Sequence, residues 1–165
     1  MLTTTQLQAI KAEILADAAL SSQPMNSDGH FAIAAALNEL SVVSVLHPTW
    51  PFVAWRTTVP TADAKKAMVW TEFISRSAGE RDAWQFMLSN GIINAADPNV
   101  RQGIQDIFSG PNGAQSRGNL VAIAKRMATR AEAVLATGTG TDVAPGTLTF
   151  EGTLSFQDVE AARNS

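Results

Sequence analysis

The sequence predicts a mainly α fold: a compact helical bundle of about six helices, a short β element, and an extended C-terminal arm containing a β-strand. Three observations carry this expectation. Apolar residues recur at i, i+3 and i+4 through most of the first 137 positions. Cap and stop residues punctuate these stripes at helix-length intervals. Near the C-terminus the pattern changes to strict alternation, the period of a strand. With 165 residues, 45% of them hydrophobic and 16% charged, the chain is long and apolar enough to bury a core.

The first helix is expected from about Thr5 to Ala19, capped by Thr4 or Thr5, with Leu7, Ile10, Ile14 and Leu15 as its stripe. Gln23-Pro24 ends it. Asn26-Ser27-Asp28-Gly29 makes a turn from which Asp28 can cap a second helix, His30 to Leu40, whose small apolar side chains suit close packing. Ser41 to Pro60 is different in kind. Val42, Val43, Val45, Phe52, Val53 and Trp55 favour strand, while His47-Pro48 and Trp50-Pro51 break helix, so one or two short strands or an extended loop fit.

Thr61 caps a third helix, Ala62 to about Ser75. Ser77-Ala78-Gly79-Glu80 is a capping box opening a fourth, which runs to Asn90 and stops at Gly91. Asp97-Pro98 starts a fifth, with proline at the first position, where no N–H is missed, and Gly110 closing it. The sixth helix, about Gln115 to Ala136, keeps its rhythm through Leu120, Ile123, Met127, Ala131 and Val134, and Gly138 ends it. From these stripes Ile14, Trp70, Trp84, Ile104, Ile123 and Met127 are expected in the core.

The rest divides from the body: 1–137 is the helical body and 138–165 a Gly/Thr tether with an extended arm. From Thr147 to Phe156, Leu148, Phe150, Leu154 and Phe156 face one way and the threonines the other. Ser155 and Asp158 then suggest a short terminal helix, Gln157 to Arg163. A lone strand cannot satisfy its own backbone. It pairs either with the Val42–Thr58 region or with a neighbouring chain, and the glycine-rich tether gives it the reach for strand addition.

Chemistry is sparse. No cysteine is present, which excludes disulfides, thiolate metal sites and cysteine nucleophiles. His30 and His47 have no second ligand at metal spacing, and structural or solvent-exposed roles suit them. Gly138-Thr139-Gly140-Thr141 lacks the lysine of a phosphate loop. Ser77 and Ser155 read as caps, and Glu80 and Asp82 sit where a helix dipole favours acids. No cofactor and no reaction type is expected. The net charge of −3 speaks against a general nucleic-acid binder. Arg117, Lys125, Arg126 and Arg130 still lend the sixth helix a basic face, with Arg126 and Arg130 four apart, either solvated or turned toward nucleic acid or an acidic partner. No apolar run approaches a membrane span, and Met1 to Thr5 lacks the basic start of a signal peptide.

Three stretches together resemble a family of small tailed-bacteriophage virion proteins: Trp55-Arg56-Thr57-Thr58-Val59, the run Lys125 to Glu132, and the tail Leu148 to Val159. The likeness spans most of the chain and names no chemistry. The plan of a helical body with a C-terminal arm is also similar to that of head–tail connector (adaptor or neck) proteins. That resemblance implies a homo-oligomeric ring between portal and tail. It implies as partners the chain itself, the phage portal, and tail or neck proteins, with a passing contact to genomic DNA and no membrane. It places the protein in the virion, made in the host bacterial cytoplasm. On this reading Leu148, Phe150, Leu154 and Phe156 are the assembly residues, Val159 is a terminal anchor, and Arg126 and Arg130 face the DNA channel. Capsid cement, tail completion and a small helical DNA-binding regulator are the alternatives.

Overall fold

The structure, a computed structural model, describes residues 2–165. It is mainly α. Among the described residues the regular elements are, in chain order, α1 (Thr4–Ala16), α2 (Ala18–Ser21), α3 (Ser27–Asn38), β1 (Val53–Trp55), β2 (Val59–Pro60), α4 (Thr61–Ala67), α5 (Trp70–Ile74), α6 (Ala78–Leu88), β3 (Ile92–Ile93), α7 (Pro98–Ile107), α8 (Ala114–Ile123), β4 (Lys125–Met127), α9 (Arg130–Leu135) and α10 (Phe156–Asn164). β1 pairs with β4. β2 pairs with β3, antiparallel, with Val59 opposite Ile93.

Among the described residues ten α-helices stand where about six and a terminal one were expected, because three expected helices are broken. Asp17 is extended, and its carboxylate accepts the N–H of Ala19 at 2.8 Å, so it caps α2 rather than continuing α1. Met68 and Val69 are extended, and the buried Ser116 hydroxyl takes the Val69 N–H at 3.0 Å. In the expected sixth helix, Lys125–Met127 is strand, and Thr129 with Glu132 forms a capping box that begins α9. A capping box needs an extended N-cap residue, which a continuous helix forbids. The boxes at Ser77/Glu80 and Ser155/Asp158, and the Asp97 cap with Pro98, lie where the sequence puts them. Three other caps shift: Thr3 caps α1, Asn26 rather than Asp28 caps α3, and Thr61 is the first residue of α4 behind Pro60, with no side-chain cap, instead of capping it.

The breaks rotate the apolar stripes out of phase. Ile14, Trp84 and Ile104 are buried as expected, and Ile123 is half-buried. Trp70 is 64% exposed and Met127 40% exposed, because Trp70 follows a break and Met127 lies on the strand that makes one, so neither shares the face of the helical residues before it.

The chain separates into two units, one of residues up to Ala54 with Met127–Ser165, the other Trp55–Arg126. The expected boundary near residue 137 is not there. In the first unit, one core gathers Ile10 and Ile14 of α1, Ile33 and Leu37 of α3, Ala131 and Leu135 of α9, and Leu154, Val159 and Ala162 of the C-terminal region. A second cluster packs Trp50, Phe52 and Ala54 with Ala128 and Ala133, and Leu148 leans on it. In the other unit, Trp84 meets Phe108 edge to face, with ring centroids 5.2 Å apart. Around them lie Val59, Phe73, Ile93, Ile104, Ile107 and Leu120.

The Gly/Thr stretch is not a loose tether. The Gly140 carbonyl accepts the Val53 N–H at 2.7 Å, and the Gly146 N–H donates to the Val53 carbonyl at 2.8 Å. Gly140, at φ +66°, and Gly146 both lie against the Phe52 ring, so closely that a Cβ on either would overlap it. Glycine is needed here for close approach, not for flexibility.

Candidate assembly surface

The five residues expected to grip a neighbour are engaged within their own unit. The predicted Thr147–Phe156 strand is not one: Gly146 bridges Ala54, Thr147 bridges Thr137, and beyond them the backbone bends. Leu154 and Val159 are buried in the helical core with Phe150 packed against it, and Leu148 is half-buried on the Trp50–Phe52 cluster. Phe156 opens α10 and packs against Phe31, with ring centroids 4.4 Å apart and the planes tilted by 35°. The alternation fails because the partners are side chains and helix ends rather than a strand edge. The Gln6 amide donates to the Thr149 carbonyl, Thr149 Oγ1 to the Leu135 carbonyl, and the Gly152 N–H to the buried Glu132 carboxylate at 3.1 Å. Arg163 completes the tie by donating to the carbonyls of Pro24 and Gln23.

The shared basic face of Arg126 and Arg130 does not exist either. Arg126 is half-buried on β4, and Arg130 opens α9. Arg130 Nε donates to Glu13 Oε1 at 2.7 Å, and its Nη2 reaches Glu13 Oε1 and Asp17 Oδ2, each at 2.7 Å. His47 Nε2 lies 2.8 Å from the same Glu13 oxygen, and its ring stacks on Trp50 at 3.7 Å. A carboxylate only 7% exposed has lost most of its water, and these partners take the place of that water. Burial works against the Arg130 charge, but hydrogen bonds to Asp17 and Glu13 outweigh it and raise its pKa. The cluster ties α1 and the 47–50 loop to α9, and the guanidinium is committed to it rather than to a DNA passage. Sequence reasoning had no means to join Glu13, His47 and Arg130, which are far apart in the chain. His30, on α3, is buried.

A different surface was only half visible in the sequence. Leu40, Val42, Val43, Val45 and Leu46 all have exposed side chains, Val45 completely so. Strand preference singled out Val42, Val43 and Val45, though not Leu40 or Leu46, and the exposure of all five had no sequence signal. The stretch is pinned at both ends. Leu40 bridges Thr129, the Ser41 N–H donates to the Ala128 carbonyl at 2.9 Å, and Ser41 Oγ accepts the Phe52 N–H. At the far end the His47 N–H donates to Ser44 Oγ at 3.1 Å and the Ser44 N–H to the His47 carbonyl at 3.2 Å. Among the described residues, the backbone N–H groups of Val42, Val43, Val45 and Leu46 donate to no other group. An anchored, uncharged, apolar stretch with unpaired backbone donors is a template for another chain.

No group of three or more His, Asp or Glu among the described residues is placed to hold a metal ion. No helix among them is long and apolar enough to cross a membrane. No known protein family, curated protein or solved structure matches the chain.

Proposed function

We propose that this protein works by assembling with other chains, as a tailed-bacteriophage virion subunit: a head–tail connector in a homo-oligomeric ring between portal and tail. The resemblance of the Trp55–Val59, Lys125–Glu132 and Leu148–Val159 stretches suggests the setting. The single structural observation that supports assembly is the exposed stretch Val42 to Leu46, held at both ends with its apolar side chains outward. A ring is built from one surface meeting a different surface on the next copy, and this stretch supplies one of the two. Portal and neck or tail proteins are the further partners of this reading. The C-terminal arm, spent on its own core, is no longer the gripping element.

Native mass spectrometry of the protein, alone and mixed with a portal, tests the proposal. The expected result is a multi-subunit species that Val43→Asp and Val45→Asp reduce to monomer, with helical content and melting temperature kept, since neither side chain is buried. A wild-type chain that stays monomeric both alone and with portal would overturn it.

A further inference from the structure

In the Trp55–Arg126 unit, α7 and α8 flank a cleft of about 620 Å³. That volume lies in the range of small-ligand sites. Its apolar lining includes Trp55, Ile104, Leu120 and Val121. Its charged lining consists of Arg101 from α7, Arg117 from α8, and Asp106.

The two arginines are held in the same way. Arg101 Nη1 donates to the carbonyls of Ala95 at 2.7 Å and Ala96 at 2.9 Å. Arg117 Nη1 donates to the carbonyls of Phe108 and, at 2.9 Å, of Gly110. The Arg101 guanidinium also lies over the Trp55 ring, 4.6 Å from its centroid. Each guanidinium is thus fixed through one terminal nitrogen. Among the described residues, neither Nε nor Nη2 of either arginine donates to a protein group. Nε and Nη2 form the edge of a guanidinium that receives a carboxylate through two parallel hydrogen bonds. Anchoring also removes much of the entropy cost of ordering these long side chains when a ligand binds.

Asp106 accepts from Gln102 Nε2 at 2.8 Å. Set against the two arginines, it leaves the lining with one net positive charge. That balance complements a monoanion better than a dianion. We infer that this cleft binds a compact apolar molecule carrying one carboxylate, its hydrocarbon against Ile104 and Leu120 and its carboxylate on Arg101 and Arg117. This site is independent of the assembly surface and stands or falls without it.

The test uses 4-phenylbutyrate and its uncharged counterpart 4-phenyl-1-butanol as probes of the full-length chain, followed by proton–nitrogen NMR. The expected result is a saturable shift of the Trp55 indole and Gly118 amide signals by the acid, with the alcohol at least about tenfold weaker, as a charge-assisted pair requires. Arg101→Gln and Arg117→Gln should each erode that preference. Both arginines also cap carbonyls, so a third variant guards against misfolding. A Cβ at Gly118 would meet nothing within 4 Å, and the residue lies on α8 and lines the cleft. Gly118→Leu should therefore fill the space, keep the melting temperature and abolish the shifts. Equal affinity for acid and alcohol, shifts confined to other parts of the chain, no saturable shift with either probe, or a folded Gly118→Leu variant that still binds would each overturn the inference.

Discussion

The side-chain amide of Asn38 pairs with both backbone polar groups of Leu154: its Oδ1 accepts the Leu154 N–H at 2.8 Å, and its Nδ2 donates to the Leu154 carbonyl at 2.9 Å. One amide at the end of α3 thus does for the C-terminal segment what a neighbouring strand would do, and it holds the Leu154 side chain in the helical core. Asn38→Ala strands a part-buried donor and acceptor and should cost about 1–3 kcal/mol. Urea unfolding measures the loss, and amide exchange at Leu154 should accelerate with it. An unchanged midpoint would mean that water replaces the amide at no cost.

The same docking bears on truncation. Deleting residues after Gly146 removes Phe150, Leu154, Val159 and Ala162 from the core of the first unit. The truncated chain should lose the cooperative melting of that unit instead of sparing it. Leu154→Ala alone should cost about 2–5 kcal/mol. A truncated protein that keeps the full-length melting temperature would show that the arm is dispensable to its own body.

The glycines give a comparison with opposite signs. Gly140→Ala places a Cβ in the Phe52 ring at a left-handed backbone position and should destabilise by about 2 kcal/mol or more. Gly118→Ala adds a Cβ in open space on a helix and should stabilise by about 0.5–1 kcal/mol. Thermal melts of the two variants beside wild type check both signs, and matching shifts would refute the distinction.

Acid should weaken the fold through a named pair. The Arg130 guanidinium holds the Asp17 carboxyl below its usual range, helped by the Ala19 and Leu20 amides. Glu72 and Glu80 are lowered in the same sense, first by hydrogen bonding with Ser116 and with Ser77 respectively. A folded pKa below the unfolded one means that the unfolded chain takes up the proton first. The stabilisation is therefore complete above the ordinary carboxyl range, about pH 4, and drains away as pH falls through the lower folded values. Melting temperature against pH should drop less steeply below about pH 4 in Asp17→Asn than in wild type. Parallel curves would remove Asp17 from the account.

Local signals carried the parts of the fold that depend on neighbours in the chain. Ser77 with Glu80, Asp97 with Pro98, and Ser155 with Asp158 each place a helix start, because a cap is made within three or four residues. Thr129 with Glu132 carried the same signal, but the unbroken apolar rhythm through Met127 masked it. Burial of Ile14, Trp84 and Ile104 followed from periodicity where a helix runs whole.

What periodicity could not reach were the contacts between distant stretches. The alternation from Leu148 to Phe156 has the pattern of a strand, yet Asn38, Glu132 and the Leu135 carbonyl take up the backbone and hydroxyl groups that a sheet would have paired. Arg130 shows a helix-face spacing with Arg126, yet Glu13 and Asp17, more than a hundred residues away in the chain, claim its guanidinium. A pattern records which partners a side chain prefers. Which partner arrives, and therefore whether a strand-like tail becomes an arm or a strap and whether a cation meets DNA or a carboxylate, is decided when the chain folds back on itself. Burial then makes any unpaired polar group too costly to leave.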